Sequence, residues 1–195
     1  IPYFTRFVAR FPDPAALAAA PLQALLKTWE GLGYYTRARN LQKAAIAIQA
    51  QHGGQVPNTF DALLALPGIG RYTAAAIASI AFGIPEPVVD GNVLRVLSRF
   101  LGSADDIAKP AVRDRFYDYL KKPIAASGNP SWFNQAIMEL GALVCTPRNP
   151  SCAACPIAAA CRARIEKRTA ELPVKAKRGA VPHQHIGVGL VRDAR

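Results

Sequence analysis

Acidic side chains are in short supply: 13 Asp and Glu stand against 24 Lys and Arg, a formal net charge of +11 and a pI near 9.9. That deficit argues against a cationic partner and favours a polyanion, through long-range attraction and counterion release. Residues 162–195 hold nine Lys/Arg and three Asp/Glu, a net of +6, so the remaining +5 belongs to the body and a basic tail is not the whole account. Alternating β-branched runs are also scarce. With alanine abundant and 51% of the chain apolar, this argues against a sheet protein and against general disorder, and points to a mostly helical globule. Long apolar runs are missing too. The longest stretch without Asp, Glu, Lys or Arg, Ala44 to Phe60, is broken by Gln, His, Gly and Pro, so no bilayer span is expected, and no signal-peptide pattern is seen. The three histidines, His52, His183 and His185, border a Gly-Gly turn or the end of a linker and read as structural or solvated.

What is present is organised by helix punctuation. Residues 1 to 11 read as an amphipathic helix, with Phe4, Phe7, Val8 and Phe11 at helical spacing. Pro12, Pro14 and Pro21 then separate short helices, and a further element, Leu22 to Trp29, runs into Gly31-Leu32-Gly33-Tyr34-Tyr35. Helices are predicted over Arg37 to Gln51, after a cap at Asn58 or Thr59, and over Tyr72 to Phe82, Val93 to Leu101, Val112 to Lys121 and Ser131 to Val144. Glu166 to Pro182 reads as a basic linker, and Ile186 to Val191 as one short strand.

Three constellations carry chemistry. Leu66-Pro67-Gly68-Ile69-Gly70 joins two helical patterns by a turn short enough for a helix-hairpin-helix. Glycine at 68 and 70 permits positive φ and leaves room for a phosphate at the backbone N–H groups of the next helix, with Ile69 packing inward and basic Arg71 following. An ordinary αα-hairpin is the alternative, and the chain's charge favours a nucleic acid, held in register without sequence readout. Asp90, in Val88-Val89-Asp90-Gly91-Asn92, precedes a helix whose first N–H groups would keep it ionised; it is either a capping residue or a catalytic carboxylate. The four cysteines, Cys145, Cys152, Cys155 and Cys161, form a C-x6-C-x2-C-x5-C run better read as ligands than as two disulfides, and spacing alone leaves zinc and an iron–sulfur cluster both open.

Hairpin, aspartate about twenty residues later and cysteine run, in that order, resemble the endonuclease III superfamily of helix-hairpin-helix DNA glycosylases over about residues 1 to 172. Tyr72 occupies the position at which the strand-cleaving branch carries a lysine nucleophile. With Asp90-Gly91-Asn92, Leu32-Gly33-Tyr34-Tyr35 and Arg37-Ala38-Arg39, it is similar to the A/G-specific adenine glycosylase branch. Glycosylases acting on T·G mismatches share the tyrosine and are a near rival; a noncatalytic DNA-binding module is another.

The resemblance implies an all-α, two-lobed fold: a helical barrel with the hairpin over 1–86, a cluster lobe over 87–165, a basic linker over 166–183, and over 184–195 the first strand of a further domain. It implies that Asp90 steadies the oxocarbenium-like sugar left when adenine departs, that Asn92 orients it and that Tyr72 lines the base pocket. Tyr34, beside Leu32 and Arg37, would wedge into the stack while adenine is flipped out, and Gly68, Ile69, Gly70 and Arg71 would hold the backbone. Cys145, Cys152, Cys155 and Cys161 would hold a 4Fe-4S cluster that ties down a loop carrying Arg148, Arg162 and Arg164. The expected partner is double-stranded DNA with an A·8-oxoguanine or A·G mispair, bound by a monomer in the cytoplasm at the nucleoid. The family's proton-donating glutamate would lie about a dozen residues before Ile1, and a Nudix-like domain reading 8-oxoguanine would follow the chain. Neither Glu30 nor Glu139 reads as a replacement acid, so impaired activity is expected.

Overall fold

The computed structural model describes residues 2–176 together with Gly187 and Gly189. Among the described residues every regular element is helical: α1 (Pro2–Arg10), α2 (Pro14–Ala19), α3 (Leu22–Thr28), α4 (Thr36–His52), α5 (Phe60–Leu64), α6 (Arg71–Phe82), α7 (Gly91–Leu101), α8 (Pro110–Ala126), α9 (Pro130–Glu139) and α10 (Arg162–Ile165). A wide π-helical turn, Leu140–Val144, extends α9, and short 3-10 turns lie at Cys152–Ala154 and Ala158–Ala160. The expected strand over Ile186 to Val191 lies outside the described residues apart from its two glycines, as do His183 and His185.

Side-chain oxygens start several of these helices by satisfying N–H groups of the first turn. Asp13 caps α2, Thr59 caps α5 and Asn129 caps α9. Left-handed glycines at Gly53, Gly83 and Gly102 close α4, α6 and α7, where other residues would carry a steric cost. The structure extends α8 past the predicted end at Lys121, carrying Pro123 inside its last turns. A proline near the end of a helix removes one hydrogen bond without ending the helix when neighbours such as buried Ile124 keep the turn packed.

The core falls into three clusters. Phe11, Leu17, Leu25, Ala38 and Ala45 form the first, joined by Phe7, whose ring meets Trp29 edge-on at 5.8 Å. Phe4 and Val8, expected on the same apolar face, are exposed. Ala44, Ile48, Leu63, Leu66, Ala74 and Ala78 form the second, between α4, α5 and α6. Val89, just before α7, joins Val93, Leu94, Leu97, Val112, Phe116, Tyr117 and Leu120 of α7 and α8 to form the third, against Phe133, Ile137 and Met138 of α9. Each large apolar side chain so buried contributes roughly 1.5–3 kcal/mol. The second cluster draws on residues before 86 and the third on residues after 87.

One polar clamp crosses between these two clusters. Asn134, fully buried on α9, donates to Ser79 Oγ of α6 at 2.8 Å and to the Glu86 carbonyl at 2.9 Å, and accepts from Val88 N–H at 3.0 Å. It thereby fixes the extended Pro-rich segment that delivers Asp90 to the start of α7. The opening of the expected linker is also tied down. Leu172 is buried, Val174 accepts from Ile107 N–H at 3.0 Å, and Ala176 N–H donates to Asp106 at 3.2 Å.

Candidate active site and thiol cavity

The hairpin turn connects α5 to α6, with Ile69 packed against the second cluster as its sequence position predicts. Its two glycines serve different ends. Gly68 has φ +76° and a side chain there would collide with Asn40 of α4, so it is needed for close helix approach. Gly70 is extended, not left-handed as expected, and caps α6 without a side chain; nothing lies within 4 Å of where its Cβ would stand. That open space borders the free N–H groups of a twelve-residue helix, the geometry that accepts a phosphate. Arg71 lies across the ring of Tyr117 at 3.8 Å and bonds Asp114 at 2.7 Å, both on α8.

Leu32 and Tyr34 stand just before α4, and Arg37 lies in its first turn. Tyr34 has φ +48° and is 84% exposed, a strained and uncovered position for a large aromatic residue. Arg37 lies 5.6 Å from both the Tyr34 and Trp29 rings and donates to the Leu32 carbonyl at 3.2 Å. The indole of Trp29 donates to the Gly33 carbonyl, so the loop is braced while its tip projects.

Asp90 caps α7: its Oδ1 accepts from Val93 N–H at 2.8 Å and its Oδ2 from the Asn92 amide at 3.2 Å. Asn92 Oδ1 in turn accepts from Arg95 at 2.8 Å. Arg95 also donates to the carbonyls of Gly141 and Cys145, at 2.7 and 2.8 Å. A Cβ at Gly141 would fall 2.6 Å from Asn92 Cβ, which explains a glycine in the π-helical turn. Burial pulls the Arg95 guanidinium below its ordinary pKa; Cys145 opposes that shift, Arg99 adds to it and Asp90 opposes it. Tyr72 is half exposed and its hydroxyl points to the Met138 thioether at 3.9 Å. Tyr72 and Val89, the residue before Asp90, line one hollow with Arg71, Pro87, Arg113 and Tyr117.

All four thiols are free, half-buried and arranged around one cavity, which Arg99, Arg164 and Thr169 also line. Arg99 is 2% exposed and donates to the carbonyls of Leu172, Thr146 and Pro147 and to the Cys145 sulfur, at 2.8, 2.7, 3.1 and 3.4 Å. A guanidinium presents five donors in a planar fork, which suits it to gather several carbonyls of an irregular loop. Among the described residues no three His, Cys, Asp or Glu side chains are grouped closely enough to hold a single ion as they stand. Of the arginines expected around this loop, Arg162 pairs with Glu166 at 3.5 Å and Arg164 lines the cavity.

Arg95, Arg99, Asn134 and Gly141 escaped sequence reasoning. The two arginines sit four residues apart on α7, and both are buried. The signal available was the cysteine run itself, whose irregular backbone needs donors that its own residues do not supply.

Against known proteins, residues 1–122 match the family model described as HhH-GPD superfamily base excision DNA repair protein. The chain is 40% identical over 178 residues to an adenine DNA glycosylase of Buchnera aphidicola (from Schizaphis graminum), covering 91% of this chain and 51% of that protein. It is 46% identical over 165 residues to the adenine DNA glycosylase of Homo sapiens, covering 84% of this chain and 30% of that protein. The chain thus spans about half, or less, of the length of these relatives. Among solved structures it resembles a thermostable thymine-DNA glycosylase, with a TM-score of 0.76 and 27% identity over 85% of this chain and 76% of that one. A non-covalent endonuclease III–DNA complex matches with a TM-score of 0.69 and 29% identity over the same shares.

Proposed function

The chain belongs to the HhH-GPD superfamily of base excision DNA repair proteins, and from that premise we propose that it is the core of a monofunctional adenine glycosylase. It binds double-stranded DNA carrying adenine opposite 8-oxoguanine or guanine, as a monomer in the cytoplasm at the nucleoid, and hydrolyses the N-glycosidic bond of the extruded nucleotide. The observation that carries this reading is the bracing of Asp90: a half-buried carboxylate with one oxygen on a helix N–H and the other on Asn92, itself held by a buried arginine. A carboxylate fixed in this way stabilises positive charge on the sugar without reorganising as that charge appears.

Asn92 positions Asp90, Tyr72 lines the base pocket, and Tyr34 fills the gap in the stack beside the oxidised guanine. Gly68, Ile69, Gly70 and Arg71 hold the backbone in register. Glu30 is no substitute acid, because its hydrogen bond and charge pairing with Lys27 pull its pKa down and favour the ionised form. The two-lobed division near residue 86 is supported by the separation of the second and third core clusters.

Cys145, Cys152, Cys155 and Cys161 would hold a 4Fe-4S cluster, whose bound form supplies a covalent tie across the loop. The brown colour and broad visible absorption of such a cluster would appear in the purified protein; a colourless, zinc-containing protein would overturn this assignment.

The fold likeness with a TM-score of 0.76 favours a second reading, removal of thymine from T·G mispairs. The 40–46% identities to adenine glycosylases weigh against it. Asp90→Asn tests the catalytic role cleanly, since asparagine caps a helix about as well as aspartate. Adenine release from an A·8-oxoguanine duplex in single turnover should fall about 10²–10³-fold while duplex affinity and unfolding midpoint stay put. Duplex binding without base release, even when an N-terminal segment carrying a general-acid glutamate is fused to the chain, would leave only a noncatalytic DNA-binding module.

A further inference from the structure

Two arginines from different helices line the hollow beside Tyr72 and Val89: Arg71 at the start of α6 and Arg113 on α8. Like charges bordering one concavity raise each other's energy unless an anion sits between them. Arg71 has such a neighbour, because Asp114 bonds its guanidinium at 2.7 Å; among the described residues Arg113 has no carboxylate partner. Tyr117 forms the floor: its ring underlies Arg71 and its hydroxyl donates to the Glu86 carboxylate, so the pocket wall is fixed on both sides. Arg71 and Asp114 are about half exposed, and an incoming anion has access to both.

The geometry points to a second phosphate subsite, in which Arg113 and Arg71 together take a phosphodiester of the DNA strand that carries the extruded nucleotide. It is a site apart from the hairpin amides. Asp114 is the built-in competitor: its carboxylate holds the Arg71 guanidinium until a phosphate displaces it. The position suits that strand because Tyr72 and Val89, which border the same hollow, neighbour the base pocket and Asp90 respectively. The inference rests on the DNA-binding reading above.

Duplex affinity measured over a range of salt concentrations tests it in the intact chain. Arg113→Gln should weaken binding about 3–10-fold irrespective of sequence and flatten the slope of log K against log[salt] by about 0.9, the value of one phosphate contact. Asp114→Asn should tighten binding about threefold, and that gain should vanish when Arg71→Gln is added. Asp118→Asn, on the same helix and paired with Lys121, is the control and should change neither quantity.

Inorganic phosphate added at constant ionic strength should leave duplex binding unchanged; specific displacement by it would show a site for free phosphate and overturn the inference. A wild-type chain without duplex affinity would sink the DNA-binding reading itself. Wild-type binding that Arg113→Gln and Asp114→Asn leave untouched, or an Asp114→Asn variant that binds more weakly, would sink only the second subsite.

Discussion

The hairpin turn and the cysteine loop are held in place by opposite means. Around α4, α5 and α6 the cohesion is apolar and close-fitting: Ala44, Ile48, Leu63, Leu66, Ala74 and Ala78 interlock, and Gly68 lets the turn lie against Asn40. Around the thiols there is little such packing. The irregular backbone from Gly141 to Pro147, with Leu172, is gathered by donors from one helix, Arg95 and Arg99. The difference teaches that a regular helix pair needs only matching surfaces, whereas a loop shaped for ligands exposes carbonyls that must be satisfied from elsewhere. Here α7 does both jobs. Its capping residue is Asp90 and its next two turns supply the arginines, so the proposed reaction centre and the thiol cavity share one rigid element.

Removing Arg99 should break that comparison most severely. Arg99→Met leaves three carbonyls, that of buried Leu172 among them, without their donor and should cost about 4 kcal/mol in chemical denaturation, with loss of visible absorbance from any bound cluster. Arg99→Lys should recover little of it, because an ammonium lacks the planar fork that reaches Leu172, Thr146 and Pro147 at once. In the hairpin half an equally buried change, Ile48→Val, should cost only about 0.5–1.5 kcal/mol and leave the absorbance alone. Equal losses in the two halves would show that the cysteine loop is held by its bound group and not by the arginine.

The two hairpin glycines sharpen the comparison within the apolar half. Gly68→Ala combines a left-handed backbone with a collision at Asn40 and should destabilise by about 1–3 kcal/mol. Gly70→Ala meets open space and should stay within about 0.5 kcal/mol of wild type, yet lower duplex affinity by crowding the amides at the start of α6. Similar stability losses for both would mean that Gly70 serves packing and that the open side of the turn has no ligand.

Much of the apolar half was legible beforehand because its signals are local. Thr59, the Gly53 and Gly83 stops and the inward Ile69 follow from capping rules and periodicity, and the structure places them as expected. Asp90 as a cap and the four cysteines as one group were likewise readable from position and spacing, whereas Asn92 as the partner of Asp90 came from the family resemblance. What could not be read depends on pairs far apart in the chain. Arg95 and Gly141 meet across 46 residues, Arg99 and Leu172 across 73, and Asn134 reaches Ser79 across 55. No rule of period or composition marks a lysine- or arginine-bearing helix face as buried when its acceptors lie on another segment. The helix expected to end at Lys121 runs on for the converse reason: Pro123, a strong local breaker, is overridden by packing around Ile124.

A pH-dependent effect concerns Tyr117, which ties α8 to the segment before α7 by donating to Glu86. Burial first, and then the Glu86 hydrogen bond, push its phenol from an ordinary pKa of 10.0 up to about 12. A group whose folded pKa is raised contributes stability that is fully present below its unfolded pKa and lost as pH rises through the folded value. Between about pH 10 and 12 the unfolded chain therefore releases this proton first, and stability drains away. Tyr117→Phe loses the hydrogen bond, on the order of 1 kcal/mol at neutral pH, but no longer carries the alkaline dependence. Urea midpoints of the two proteins should thus draw together as pH climbs through that window. Parallel curves would mean that the phenol ionises alike in both states, and that the Tyr117–Glu86 contact adds nothing to the union of α8 with the segment before α7.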